Sequence, residues 1–170
     1  AFKKVFLPEG KIPEIGTVIR QPDLARTLRR FAKNGFDGFY RGQTAKLLID
    51  GVRDAGGIWT AEDLFNYEVI EREPITFEYR GVQIISAPPP SSGGVALASI
   101  FNVLAGFNLQ DIDSATRKHL IVEAMRRAYR DRAEYLGDPD FVEIPVARLM
   151  HPYYAAGQRG SIRPDQATRS

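Results

Sequence analysis

The sequence contains no cysteine. This absence excludes a disulfide framework, a zinc or iron–sulfur site with thiolate ligands, and a catalytic thiol. Histidine is almost as scarce, because His119 and His151 are the only two. Neither has a second histidine four residues away, as a helical metal site would require. The residues therefore predict no metal site.

The charges are close to balance, and long apolar runs are missing. Lys and Arg number 23 against 21 Asp and Glu, which leaves a formal charge of +2 and gives no indication of a nucleic-acid or anionic-membrane partner. No stretch approaches the roughly 18 apolar residues that span a bilayer, so we expect no membrane span. Hydrophobic residues make up 44% of the 170 residues, which is enough for a globular core.

The two ends of the sequence have few periodic segments. It begins Ala-Phe-Lys-Lys-Val-Phe, without an initiator methionine or a signal-peptide pattern, and we expect it to be the middle of a longer protein. Residues 1–20 are expected to be an irregular lead-in. Residues 157–170 are expected to be an exposed, linker-like tail because they are polar and contain Gly, Pro and Ser.

Helical periodicity dominates the rest of the chain. A first helix is predicted to begin at Pro22 and end at Gly35, and a second to cover about 43–55. A short helix through Asn66 follows, capped by Thr60. The most regular pattern predicts a helix from Ser114 to residue 136, ended by Gly137 in a left-handed conformation, and the tail begins with a short helix capped by His151.

The middle of the chain changes to an alternating pattern. Residues 68–72 are predicted to be extended, and a hairpin is predicted over 74–79 and 82–87. Pro88-Pro89-Pro90 cannot donate to a sheet and must end the second strand. A helix over about 93–105, with Ser92 as its N-cap, comes next. The residues therefore predict an α+β fold that is rich in helix and has a central antiparallel hairpin.

Candidate chemistry is sparse. Acidic residues lie among basic ones on the long helix: Asp131 and Glu134 with Arg127, Arg130 and Arg132. Paired carboxylates can do acid–base work, but such interleaved charges are more typical of a solvated or ion-paired helix face. Asp138 and Asp140 flank Pro139, which predicts a turn, since two carboxylates fall short of a calcium site.

One loop is a candidate neighbour of a site. Ser91, Ser92, Gly93 and Gly94 join a strand to a helix start, where backbone N–H groups can surround an anion or an oxyanion. The alternative is a rigid strand-to-helix turn that needs glycine for close packing. The sequence shows neither a phosphate-loop spacing nor a nucleophile elbow there, so both interpretations stay open.

The order of short motifs resembles that of the γ-glutamyltransferase (γ-glutamyltranspeptidase) family over nearly the whole chain. The matching pieces are Gln21-Pro22-Asp23-Leu24-Ala25, Gly38-Phe39-Tyr40-x-Gly42, Gly56-Gly57-x-x-Thr60-x-Glu62-Asp63-Leu64, Tyr79-Arg80-Gly81, Pro88 to Gly94, Ala128-Tyr129-x-Asp131-Arg132, and Leu136-Gly137-Asp138-Pro139-Asp140-Phe141. Each piece alone is a weak signal, but their common order makes the resemblance strong.

The resemblance implies the fold and chemistry of an N-terminal-nucleophile hydrolase. Its fold is an αββα sandwich, and its precursor cleaves itself into a large and a small subunit. The new N-terminal Thr of the small subunit takes the γ-glutamyl group of glutathione or a related amide and passes it to an amino acid, a peptide or water, with its own α-amine as base. No cofactor is implied, and a periplasmic or secreted location is favoured.

The resemblance covers only part of that enzyme. Residues 1–170 look like one fragment, the C-terminal part of the large subunit, and no residue of it matches the nucleophile. Thr168 falls in the linker that precedes the processing site. We therefore expect no catalytic residue here and expect partners in the small subunit and the rest of the large subunit, which together bind a small γ-glutamyl substrate. The alternative is a non-catalytic scaffolding or interaction module.

Overall fold

The computed structural model describes residues 2–168, and helices dominate it. The elements in chain order are α1 (Phe2–Phe6), a 3₁₀ turn (Pro8–Gly10), α2 (Pro22–Asn34), α3 (Phe36–Tyr40), α4 (Gly42–Asp54), α5 (Ala61–Phe65), β1 (Ile75–Tyr79), β2 (Val82–Ser86), α6 (Gly93–Leu104), α7 (Ser114–Tyr135), α8 (Val146–Leu149) and α9 (Pro152–Arg159). The chain divides into two compact units, one up to Ile70 and one from Glu71 onward. No helix within residues 2–168 is both long and apolar enough to cross a membrane.

The first unit is a set of short helices with little buried apolar surface. Helix α2 begins at Pro22 as predicted and ends at Gly35, whose φ of 56° breaks the helix and starts α3 at once. Gly38 of α3 packs against the backbone of α2, and its carbonyl accepts a hydrogen bond from Thr44 at 2.8 Å. These contacts join α2, α3 and α4.

The predicted cap of α5 is confirmed. The Thr60 hydroxyl accepts from the Asp63 backbone N–H, and the Asp63 carboxylate accepts from the Thr60 backbone N–H at 2.7 Å. Each side chain therefore satisfies a donor that the first helical turn leaves free. The Asp63 carboxylate accepts from both the backbone N–H and the hydroxyl of Thr60, and because these two hydrogen bonds favour the ionised form they lower the pKa of Asp63.

The second unit is built around the predicted hairpin and the two longest helices that follow it. Strands β1 and β2 pair in antiparallel fashion, with Phe77 opposite Ile84. Helix α6 covers one face of this hairpin, where the Phe101 ring lies 4.6 Å from Tyr79 and 6.2 Å from Phe77 between centroids. The other side of α6 packs on α7 and α9 around a core formed by Val103, Leu104, Leu120, Ala124, Ala155 and Ile162.

Several local predictions from the sequence are wrong in detail. The lead-in includes α1, where Phe2 and Phe6 pair one turn apart at 4.9 Å, and a 3₁₀ turn. The prediction that residues 68–72 are extended is not contradicted, since they form neither a helix nor a strand in the described chain, and Arg72 pairs with Asp140 at 2.5 Å.

The ends of α6 and α7 also differ from prediction. Ser92 stands at the N-cap position of α6, but its hydroxyl makes no capping hydrogen bond, because it accepts from the Arg132 Nε at 3.0 Å. Gly137 has no positive φ, since α7 ends at Leu136 in an extended conformation. Asp113 caps the start of α7 by accepting from the backbone N–H groups of Ala115 and Thr116.

The expected linker from residue 157 is partly folded. Helix α9 continues to Arg159, and Gln158 and Ile162 are buried. Residues 163–168 are exposed, as the sequence predicted. Residues 169 and 170 lie outside the described part of the chain.

Candidate functional site

Residues 2–168 hold no group of three or more metal-ligating side chains. The two histidines have structural roles. The His151 Nδ1 accepts from the Tyr153 backbone N–H at 3.2 Å and so caps α9, as predicted. The His119 Nε2 lies 2.7 Å from the carbonyl oxygen of Arg163, so it contacts the tail of the chain.

The predicted loop, Ser91 to Gly94, leads from β2 into α6. Gly94 is buried, and a Cβ there would lie 2.6 Å from the carbonyl oxygen of Ala87 and would also strike Ile75. Gly93 is exposed, and a Cβ there would meet only the Ser91 Oγ at 3.7 Å. Close packing therefore explains Gly94 but does not explain Gly93.

The same loop borders an open cavity of about 370 Å³. Pro90, Ser92, Arg132, Leu136 and Gly137 are among its lining residues. The hydrogen bond between Arg132 and Ser92 places a guanidinium beside the first turn of α6, so positive charge and the free N–H groups of a helix start lie together. Such a pairing suits an anionic group.

A second polar cluster, which the sequence analysis did not recognise, lies inside the second unit. Glu123, Arg127 and Asp131 follow one another at four-residue spacing on α7 and are 1%, 6% and 3% exposed. The Arg127 Nη1 donates to the Glu123 carboxylate at 2.7 Å, and Asp131 accepts from the exposed Arg130 at 2.9 Å and from Gln158 at 2.5 Å. We call Glu123, Arg127 and Asp131 the buried ion cluster.

The sequence did carry a signal for this cluster. The interleaved charges on α7 were expected to form a solvated or ion-paired face, and ion pairing is what the structure shows for Arg127, Arg130 and Asp131. The sequence analysis missed their burial, although Glu123, Arg127 and Asp131 lie on the same helix face as three apolar residues: Leu120, Ala124 and Ala128. Charges placed on the apolar face of a helix predict buried pairs.

Glu123 is held in its charged form. Burial alone raises the pKa of a carboxyl group, but hydrogen bonds from Thr168 and Arg127 outweigh burial here and lower the pKa of Glu123 to about 2. Glu123 therefore remains ionised at any pH near neutrality. It serves as a fixed negative charge, not as a proton donor or acceptor.

This low pKa predicts acid sensitivity. The stabilisation from Glu123 is complete above the pKa of an unfolded Glu, near 4.5, and is lost as the pH falls through about 2 in the folded state. The loss is on the order of 3 kcal/mol. The difference in unfolding free energy between the wild type and Glu123→Gln, measured by urea titration, should therefore shrink between pH 4.5 and 2. Asp165→Asn, at an exposed tail position, should show a small difference throughout, and a constant Glu123→Gln difference would contradict the assignment.

Three comparisons with known proteins agree on the family. The model of the gamma-glutamyltranspeptidase family matches residues 1–170. The glutathione hydrolase proenzyme of Pseudomonas sp. (strain A14) is 45% identical over 165 residues, which are 96% of this chain and 29% of that relative. The Acylase ACY 1 proenzyme of Pseudomonas sp. (strain SE83) is 39% identical over 96% of this chain and 30% of that relative.

Comparison with a solved structure supports the same family at the level of the fold. The crystal structure of Helicobacter pylori gamma-glutamyltranspeptidase superposes with a TM-score of 0.82 at 42% identity, covering 98% of this chain and 48% of that one. The chain is thus an α+β, helix-rich part of an N-terminal-nucleophile hydrolase sandwich, with the antiparallel hairpin at its centre. It spans under a third of the length of the curated relatives named above. The chain belongs to the gamma-glutamyltranspeptidase family.

Proposed function

We propose that this chain is the C-terminal part of the large subunit of a γ-glutamyltransferase or glutathione hydrolase. The observation that carries the proposal is the family match over residues 1–170 in a chain that spans 29% of its glutathione hydrolase relative. The Thr nucleophile then belongs to the small subunit, outside these residues. The chain contributes framework and, at the loop from Ser91 to Gly94, a neighbour of the substrate.

The hairpin supports this assignment because only one of its faces is packed within its unit. Phe77 and Tyr79 face α6, whereas Ile85 on the opposite face is 65% exposed. A two-stranded sheet is marginal alone and gains stability when further strands or a second layer cover it. An αββα sandwich supplies such a second sheet, and we propose that the missing parts of the enzyme provide it.

The first unit supports the same proposal. The apolar stripe that the sequence predicted on α2 is half exposed, with Leu24, Leu28 and Phe31 between 47% and 54% accessible. Ile58 is 88% exposed. Apolar surface of this extent is typical of a face that packs against another part of a protein. The rest of the large subunit and the small subunit are the proposed partners.

The proposed reaction is acyl transfer through a Thr ester. The Thr hydroxyl attacks the γ-carbonyl carbon of glutathione or a related amide, the C–N bond breaks, and the proton lost by the hydroxyl goes to the departing amine. An amino acid, a peptide or water then attacks the ester and regenerates the Thr hydroxyl. The loop from Ser91 to Gly94, with Arg132 beside it, is proposed to lie near the anionic part of the substrate.

Release of a chromophore from a γ-glutamyl anilide tests the proposal. The full-length, processed protein should release the anilide, and residues 1–170 alone should show no turnover. The matched control donor is the glutaryl anilide, which lacks only the α-amino group and should be a poor donor. A processed protein that leaves the γ-glutamyl anilide intact would contradict the enzyme assignment and favour a scaffolding module. Preference for the glutaryl anilide would contradict the assignment of a γ-glutamyl donor.

A further inference from the structure

The tail of the chain is tied to the buried ion cluster at three points. The Arg127 Nε donates to the carbonyl oxygen of Gln158 at 3.1 Å, and its Nη2 donates to the Ser161 hydroxyl at 2.8 Å. Seven residues later, Thr168 donates to the Glu123 carboxylate through both its hydroxyl and its backbone N–H, the latter at 3.1 Å. Arg127 and Glu123 on α7 therefore hold this segment at Gln158, Ser161 and Thr168, and Asp131 accepts a further hydrogen bond from the Gln158 side chain.

The contact at Thr168 is unlike the other contacts of this tail. Residues 163–168 are exposed, and Arg163 and Asp165 form an ion pair in which both side chains are about 70% accessible. Such a pair stabilises little. The Glu123 carboxylate is 1% exposed, and hydrogen bonds to a buried charged group are stronger than neutral ones. The path of residues 163–168 is fixed by the contact of His119 with the Arg163 carbonyl oxygen and by the contact of Glu123 with Thr168.

We propose that Glu123, oriented by Arg127, is a positioning residue for cleavage of the precursor. The inference rests on the proposed function, under which the segment after Thr168 leads to the bond before the Thr nucleophile. Fixing Thr168 on a buried charge sets the point from which that segment starts and reduces the number of conformations it explores. A scissile bond that samples fewer positions spends more time in the reactive geometry.

The chemistry that Glu123 assists needs no co-reactant other than water. Cleavage is the net hydrolysis of one peptide bond: the C–N bond breaks, one water is consumed, and a carboxylate and the new α-amine of the nucleophilic Thr are formed. Glu123 takes no part in these bond changes. Its carboxylate is ionised near neutral pH and already receives hydrogen bonds from Arg127 and Thr168.

The test is the rate at which the full-length precursor is cleaved after cell-free translation, followed on a denaturing gel. Thr168→Val removes the hydroxyl donor at an exposed position and should slow cleavage about tenfold, as expected for one lost hydrogen bond to a charged group. Thr168→Ser retains both donors and should restore cleavage to near the wild-type rate. Asp165→Asn, three residues away on the same tail, should stay within about twofold of the wild type.

A second readout separates positioning from general stability. Once cleaved, Thr168→Val should have the wild-type kcat and KM for the γ-glutamyl anilide and a Tm lowered only by the loss of one hydrogen bond. Glu123→Gln should slow cleavage at least as much as Thr168→Val. Cleavage of Thr168→Val at the wild-type rate would overturn the proposal. So would a parallel fall in cleavage rate, kcat/KM and Tm, which marks a purely structural role. A wild-type precursor that is neither cleaved nor active would instead refute the proposed function.

Discussion

Replacing Arg127 with methionine should destabilise the second unit by about 3–5 kcal/mol, the typical cost of removing one partner of a buried ion pair. Methionine keeps most of the side-chain volume but donates no hydrogen bond. The Glu123 carboxylate would stay buried without its counter-ion, and the acceptors on Gln158 and Ser161 would lose their donor. Urea unfolding at pH 7 measures the loss directly.

Arg126 provides the matched control for this variant. It precedes Arg127 on the same helix and approaches the same Glu123 carboxylate, but at 3.7 Å and with its own side chain 32% exposed. Arg126→Met should therefore change the unfolding free energy by less than about 1 kcal/mol. Equal losses in the two variants would show that charge near Glu123 matters and that burial and hydrogen bonding do not.

The loss in Arg127→Met should also depend on pH. Without Arg127, one of the groups that lower the pKa of Glu123 is gone, so the pKa of this carboxyl rises and burial favours the neutral acid. A protonated Glu123 costs less to bury than a charged one. The destabilisation caused by Arg127→Met should therefore be smaller at pH 4 than at pH 7.

Much of the fold could be predicted from the sequence because local signals decide it. Pro22 at a helix start, the reciprocal cap of Thr60 and Asp63, and the prolines after β2 each act within a few residues. The prediction fails where partners distant in sequence decide the conformation. Ser92 has the side chain of an N-cap, but Arg132, forty residues away, takes its hydroxyl.

In the tail and at the candidate site, too, the prediction failed where residues distant in sequence make the contacts. Polar composition predicted an exposed linker from residue 157, yet Ile162 enters the core and Thr168 reaches Glu123 across 45 positions. Sequence pattern found the loop from Ser91 to Gly94 as a candidate, and its place beside the substrate remains a prediction. What the sequence alone could not show is that its two glycines lie in different surroundings.

Because Gly94 is closely packed and Gly93 is exposed, packing and ligand binding at the loop can be tested separately. Gly94→Ala should destabilise the second unit by at least about 2 kcal/mol, because its Cβ would lie 2.6 Å from the carbonyl oxygen of Ala87 and would press on Ile75. Backbone cannot move aside as a flexible side chain can, so α6 must shift away from the hairpin. Faster hydrogen exchange of the α6 amides would report this shift.

Gly93→Ala is the control, since its Cβ would meet only the Ser91 Oγ at 3.7 Å. Its unfolding free energy and its α6 exchange should match the wild type. If the loop lies beside the substrate as proposed, Gly93→Ala in the processed enzyme should raise KM for the γ-glutamyl anilide without lowering Tm, because a methyl group would then crowd the bound donor. Unchanged KM together with unchanged Tm would assign the loop to packing alone, through Gly94.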